Sequence, residues 1–187
     1  MGISFYSPPN IPADEEQRRE AVLSSNLLDQ RFSVAIGAVV RSAAALANTR
    51  MAAATLIIDD RQMVIAGFQI DSAVSRRSTS ICGHTILNAP RGLCVPDTTR
   101  DARFAENPIV TDHPAIRFYF GVPLLSPTGH PLGALCVLHD TPRDGVTDQV
   151  AFALQGMAAQ IVALPQAERV QDAPSGPVVL SARKTIV

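Results

Sequence analysis

Lysine is all but absent from this chain: of its sixteen cationic residues only Lys184 is a lysine, and it lies in a terminal stretch without periodic pattern. Schiff-base chemistry needs a lysine amine held in a site, so that class of enzyme is excluded. A surplus of positive charge is missing too, because sixteen basic residues face seventeen acidic ones for a formal charge of −1. Phosphate backbones are held by clustered Lys and Arg, so nucleic acid is not an expected partner. Cysteine is scarce, and Cys82, Cys94 and Cys136 include no C-x-x-C pair. An odd number at such spacings points to reduced thiols and away from a disulfide framework or a zinc staple. The four histidines, His84, His113, His130 and His139, share no ligand spacing on one helix, so no metal site is predicted. The N-terminus lacks a charged segment followed by an apolar core. No later run approaches the roughly 20 uninterrupted apolar residues of a membrane span. A cytoplasmic protein without membrane contact is the expectation.

What is present suffices for one domain: 187 residues at 47% hydrophobic can bury a sizeable core. Residues 1–12, with Pro8, Pro9 and Pro12, read as an extended arm, residues 13–164 as the domain, and residues 165–187 as a tail. Asp14, followed by Glu15 and Glu16, suits the cap of a first helix running to about Leu28, with Arg18 and Arg19 on its solvent side. Phe32, Ile36, Val39, Val40, Ala43, Leu46 and Ala47 recur at three- and four-residue spacing and draw the apolar face of a second helix. Two β-rich runs, Thr55–Ile58 and Met63–Phe68, flank Asp59-Asp60-Arg61 as a hairpin, and a short strand spans Gly92–Val95. Phe118–Leu125 and Leu132–Leu138, joined by Ser-Pro-Thr-Gly-His-Pro, form a second hairpin buried on both faces or nearly so. Between these hairpins, residues 96–116 are too long and too polar for a simple connector, and segments of that length tend to carry function as lids. Thr147 caps a last helix in which Val150, Leu154, Met157, Ile161 and Leu164 alternate by four and three, the rhythm of a helix packed along another, and Pro165 is expected to end it. Helices flanking antiparallel hairpins make an α+β fold. The stripes of the first and last helices predict a homodimer whose seam includes Met157 and Ile161.

Four motifs carry a resemblance. Asp101-Ala-Arg103-Phe104-Ala-Glu-Asn107-Pro108-Ile-Val110, Ile116-Arg117-Phe118-Tyr119-Phe-Gly121-Val-Pro123-Leu124, Leu132-Gly133-Ala-Leu135-Cys136-Val137 and Ser80-Ile-Cys82-Gly-His84-Thr-Ile86 resemble the signature segments of bacterial GAF domains. The likeness covers residues 14–164 in order, from a first helix over Glu16–Asp29 to a closing turn at Pro142-Arg143. It implies a GAF/PAS-like α+β fold: an antiparallel sheet of about six strands, N- and C-terminal helices packed on one face, and a loop-covered pocket on the other. GAF domains are mostly small-molecule sensors or dimerisation modules attached to an output domain. The chain is too short to hold such an output, so the resemblance implies a stand-alone signalling protein acting through a protein partner, with no named cofactor and no catalysis of its own.

Candidate site residues follow from chemistry. Arg117 and Tyr119 alternate onto one face of their strand and offer a charged fork and a hydroxyl to an anionic ligand; alternatively Arg117 pins the lid by pairing with Asp97, Asp101 or Asp112. Cys82 and His84, at the start of a short helix, would complete the wall of the same pocket, with Asp97 and Asp101 from the lid. The competing reading is a thiol redox protein, or an enzyme like the free methionine-R-sulfoxide reductases, which are GAF proteins, centred on Cys82 within Ile81-Cys82-Gly83. Against it, the nucleophile of those enzymes sits in the lid, where residues 96–116 have no cysteine. Cys94 and Cys136, in apolar strand runs, are predicted to be core residues.

Overall fold

The computed structural model describes residues 6–71 and 73–171, with side chains through residue 167. Its centre is a pair of apolar strands that follow directly from sequence, β5 (Phe118–Leu125) and β6 (Pro131–His139). They are joined by a tight turn in which Gly129 takes a φ of 87° and the Ser126 hydroxyl accepts from the His130 amide at 3.0 Å. The other hairpin is β1 (Met51–Ile58) and β2 (Arg61–Phe68), closed by Asp59 in the left-handed region at φ 50°. With the short strands β3 (Val74–Arg76) and β4 (Leu93–Val95) they form one antiparallel sheet of six strands, ordered β3-β2-β1-β6-β5-β4. The seam between β1 and β6 is close: a Cβ on Gly133 would collide with the Thr55 carbonyl. Glycine is required there.

Helices α1 (Glu15–Ser24), α2 (Ser33–Leu46) and α5 (Asp148–Gln171) cover one face. Ile36, Val40, Phe118, Leu135, Leu154 and Ile161 meet there in the main core. The opposite face carries α3 (Ile81–Leu87), α4 (Pro108–Thr111) and the long segment before β5, over a second core of Ile57, Phe104, Ile116, Tyr119 and Leu138. Strand alternation sorts β5 as expected, with Phe118 and Phe120 toward the helices and Tyr119 toward α3.

Several local expectations change. The first helix ends at Ser24 instead of near Leu28, because Asn26 turns left-handed at φ 60° and Asp29 starts a separate turn by accepting from the Arg31 amide. Arg18 does not face solvent: it is fully buried, its Nε and Nη2 on the Glu15 carboxylate and its Nη1 on the Pro131 carbonyl. Arg19 reaches Asp59 at 2.7 Å. Asp14 stands at the start of α1, yet its carboxylate meets His130 at 3.2 Å and caps no helix amide. The last helix does not stop at Pro165: that residue is buried and the helix continues to Gln171. Its inward stripe is Leu154, Ala158, Ile161 and Val162, so Ile161 packs within one protomer and lines no dimer seam. Cys94 is exposed, because its flanks Leu93 and Val95 take the inward positions of β4. Of the segment expected as a tail, residues 165–171 belong to α5 and residues 172–187 lie outside the described residues.

Candidate functional site

The Ser80 side chain sets the start of α3 by accepting from the Gly83 amide at 2.8 Å while donating to Gln62. That orientation turns Cys82 inward onto β6, where its sulfur lies 3.8 Å from the Cys136 sulfur. Tyr119 arrives from β5 at the same spot. Its ring folds over Gly121, where a Cβ would strike the phenol oxygen, and its hydroxyl shares a 2.6 Å hydrogen bond with Thr85 and donates to the Cys82 sulfur at 3.4 Å. Cys136 also lies 3.5 Å from the carbonyl of Ala53, its register partner on β1. Cys82, Cys136, Thr85 and Tyr119 are all buried, so this is a sealed polar cluster in the second core. Hydrogen bonds to its sulfur, from Cys136 first and then from Thr55 and Tyr119, outweigh burial and bring the Cys82 thiol down to about 7. Donating to Cys82, and burial after it, push the Cys136 thiol well up. Burial, reinforced by both sulfurs, raises the Tyr119 phenol.

Outside this cluster the arm crosses α3. Pro9 is buried on Gly83, where a Cβ would come within 2.7 Å of its ring. The Ser7 amide donates to the Arg103 carbonyl at 3.1 Å, and His84 Nε2 meets the Ser7 carbonyl oxygen at 2.9 Å. The His84 ring stands edge-on to Phe104 at 4.9 Å, and burial lowers its pKa despite the bond to Ser7. Asp101 holds Arg103 by accepting from its backbone amide, Nε and Nη2, and the guanidinium lies 4.8 Å from the Phe104 ring centre. The Arg103 bond, against burial, holds the Asp101 carboxyl below its ordinary value. Asp97 accepts from the Thr99 hydroxyl and amide, and the hydroxyl bond depresses its carboxyl as well. Asn107 starts α4 by accepting from the Ile109 amide and ties the lid back to the Thr79 carbonyl at 3.1 Å.

Arg117 directly precedes β5 and spends its guanidinium on carbonyl oxygens, Val110 at 2.8 Å and Ile116 at 3.2 Å. It ties α4 to the sheet, while Asp101 and Asp97 are engaged by Arg103 and Thr99. Six residues proposed for one pocket therefore occupy three places: Cys82 and Tyr119 inside, His84 and Asp101 beneath and beside the arm, Arg117 and Asp97 at the edge of the lid. Phe104, Val110 and Ile116, at most 2% exposed, fill the space between them. A shallow groove of about 520 Å³ runs outside the lid along Pro96, Asp97, Arg100 and Asp101. A larger cleft of about 540 Å³ lies on the helix side, among Gln17, Ser25, Ser126, His130 and Gln166. Sequence reasoning passed over Cys136, Thr85 and the arm as parts of this region. Their proximity comes from strand order, which no local spacing encodes.

Comparison with known proteins matches this architecture. The model of the GAF domain family spans residues 21–163. This chain belongs to the GAF family. The GAF domain is 31% identical over 156 residues to the cyclic di-GMP phosphodiesterase PA2567 of Pseudomonas aeruginosa, covering 83% of this chain and 26% of that protein, so it spans about a quarter of that relative's length. Among solved structures it is similar in fold to the GAF domain of an Acinetobacter phosphoenolpyruvate-protein phosphotransferase, at TM-score 0.59 and 17% identity, covering 87% of this chain and 96% of that one. It is also similar in fold to a type II free methionine-R-sulfoxide reductase from Thermoplasma acidophilum, at TM-score 0.58 and 13% identity, covering 72% and 94%. Sensing and signalling are the business of the family, and at these identities the solved structures speak for the GAF fold alone.

Proposed function

We propose that this GAF domain is a non-catalytic, cytoplasmic signalling module that acts through its helix layer, as a homodimer and through a protein partner. The observation that carries the reading is a filled space under the lid together with exposed apolar side chains on the helix layer. The lid side is closed by Phe104, Ile116 and the arm, whereas the helix layer leaves Val34 79% and Phe152 77% exposed, with Leu46 also outward. Apolar side chains of this size in water favour a contact that covers them. A ligand beneath the lid would have to displace Phe104 and Ile116, so the signal is carried by protein contact in preference to a bound small molecule. The Pseudomonas relative supports an enzyme of cyclic-di-GMP turnover as the class of partner. The reductase reading has the fold in its favour, but residues 96–116 hold no cysteine to serve as the nucleophile of such an enzyme.

Sedimentation tests the reading. The wild type is expected to sediment as a dimer at micromolar concentration, and V34E and F152E, both at exposed positions, to give folded monomers. A wild type that is monomeric at that concentration removes the dimer.

A further inference from the structure

The signalling reading makes no use of the two buried thiols. Cys82 on α3 and Cys136 on β6 are 54 residues apart in sequence, yet their sulfurs approach to 3.8 Å. A disulfide needs about 2.05 Å, so closure requires roughly 2 Å of movement. β6 is paired on both sides and cannot supply it, whereas α3 is seven residues long and lies between the sheet and the arm. We propose that Cys82 and Cys136 form a redox-modification site, in which a small hydroperoxide converts the dithiol to an intrachain disulfide tying α3 to the central strand β6.

The chemistry balances on these groups. The Cys82 thiolate attacks the terminal oxygen of the hydroperoxide; a sulfur–oxygen bond forms, the oxygen–oxygen bond breaks, and the leaving alkoxide takes up a proton to depart as alcohol. Cys82 is then a sulfenic acid. The Cys136 sulfur attacks the Cys82 sulfur, the sulfur–sulfur bond forms, and hydroxide leaves as water with the Cys136 proton. Two thiols have lost two protons and two electrons, and the hydroperoxide has become alcohol and water. Hydrogen bonds from Cys136, Thr55 and Tyr119 favour the attacking thiolate at Cys82. Cys94 is the contrasting thiol, exposed but with its pKa raised by partial burial, so exposure alone does not make it the reactive one. Pro9 of the arm covers α3 at Gly83, the neighbour of Cys82, and the arm is held at Ser7 by one bond to Arg103 and one to His84. Such lightly fastened segments open locally without global unfolding.

This proposal goes beyond the signalling reading and stands whether or not the domain dimerises. The test is made on the folded full chain exposed to hydrogen peroxide, then denatured, alkylated without reduction and digested with trypsin. The three cysteines fall in separate peptides, 78–91, 92–100 and 118–143. The expected product joins peptide 78–91 to peptide 118–143, lighter by two hydrogens than their sum, with Cys94 alkylated and the link lost on treatment with dithiothreitol. C94S is expected to give the same link. C136A is expected to abolish it and leave a sulfenic acid on Cys82 that dimedone traps. Recovery of all three cysteines alkylated after peroxide, a link through Cys94, or over-oxidised Cys82 without a link in the wild type overturns the proposal, and the wild-type peptide map decides even if a variant does not fold.

Discussion

Arg117 shows how one side chain can be conspicuous in sequence and modest in role. A charge beside an aromatic strand suggests a ligand fork, but the guanidinium is satisfied by the carbonyls of Val110 and Ile116, which makes it a strap between α4 and the sheet. Removing a charged donor from a partly buried carbonyl costs about 1–2 kcal/mol. For a domain of this size that is a fall of about 3–6 °C in melting temperature. R117M is therefore expected to melt a few degrees lower while releasing no more bound material on denaturation than the wild type does, as thermal scanning and mass spectrometry of the supernatant would read. Release of an anion from the wild type but not from the variant would return Arg117 to ligand binding. Tyr119 was legible to the extent that alternation gives its face. Its partners were not, because Thr85 and Cys82 reach it only after the chain has turned back through 34 and 37 residues.

Elements were legible where hydrophobicity alone decides them. β5 and β6 are uninterrupted apolar runs around a strong turn, and nothing in their sequence competes with a strand. The ends of α1 and α5 were less legible, because they are set by tertiary partners: α1 stops where Asn26 turns, and α5 carries Pro165 onward because that residue is buried. The placement of α1 depends on Glu15, which receives Arg18 and also Arg77 at 2.5 Å, both cations being nearly fully buried. Burial pushes the Glu15 carboxyl up, but the bonds from Arg18 and Arg77 outweigh it and hold the pKa below its ordinary value of 4.5. A carboxyl depressed in the folded state contributes stability above its unfolded pKa and loses it as the pH falls through the folded value. E15Q leaves two buried cations without their anion and is expected to cost about 2–4 kcal/mol at neutral pH. Its denaturant midpoint should approach that of the wild type once the pH drops below the carboxyl range; a gap unchanged between pH 7 and pH 3 would mean the clamp is not ionic. The two sides of α5 make a second contrast. I161E buries a carboxylate in the main core and is expected to cost about 4 kcal/mol or more, whereas F152E changes an exposed position and should leave circular dichroism nearly unchanged, with melting lowered only by the loss of the dimer contact.

At the scale of the molecule, the sequence carried the family and the two-layered plan, since its motifs lie at the glycines, turns and apolar runs that the sheet requires. It did not carry the state of the lid. Whether a loop-covered face holds a cavity or a core depends on how Phe104, Val110 and Ile116 pack together, and that is settled by side-chain volumes meeting across distant segments. The sheet order has a further consequence, for the time course of folding. β1–β2 and β5–β6 are hairpins of neighbouring residues, but the seam that joins them pairs Ala53 with Cys136, across most of the domain. Each half can form early from local contacts, while zipping the seam must first close a loop of some eighty residues, an entropic cost met before any long-range contact repays it. Refolding should be slow for the domain's length, with its barrier sensitive to the fit of β1 against β6. G133A, which obstructs that fit, is expected in stopped-flow measurements to retard refolding more than it accelerates unfolding, so that the middle of the finished sheet is also the clasp that must fasten before the rest can close.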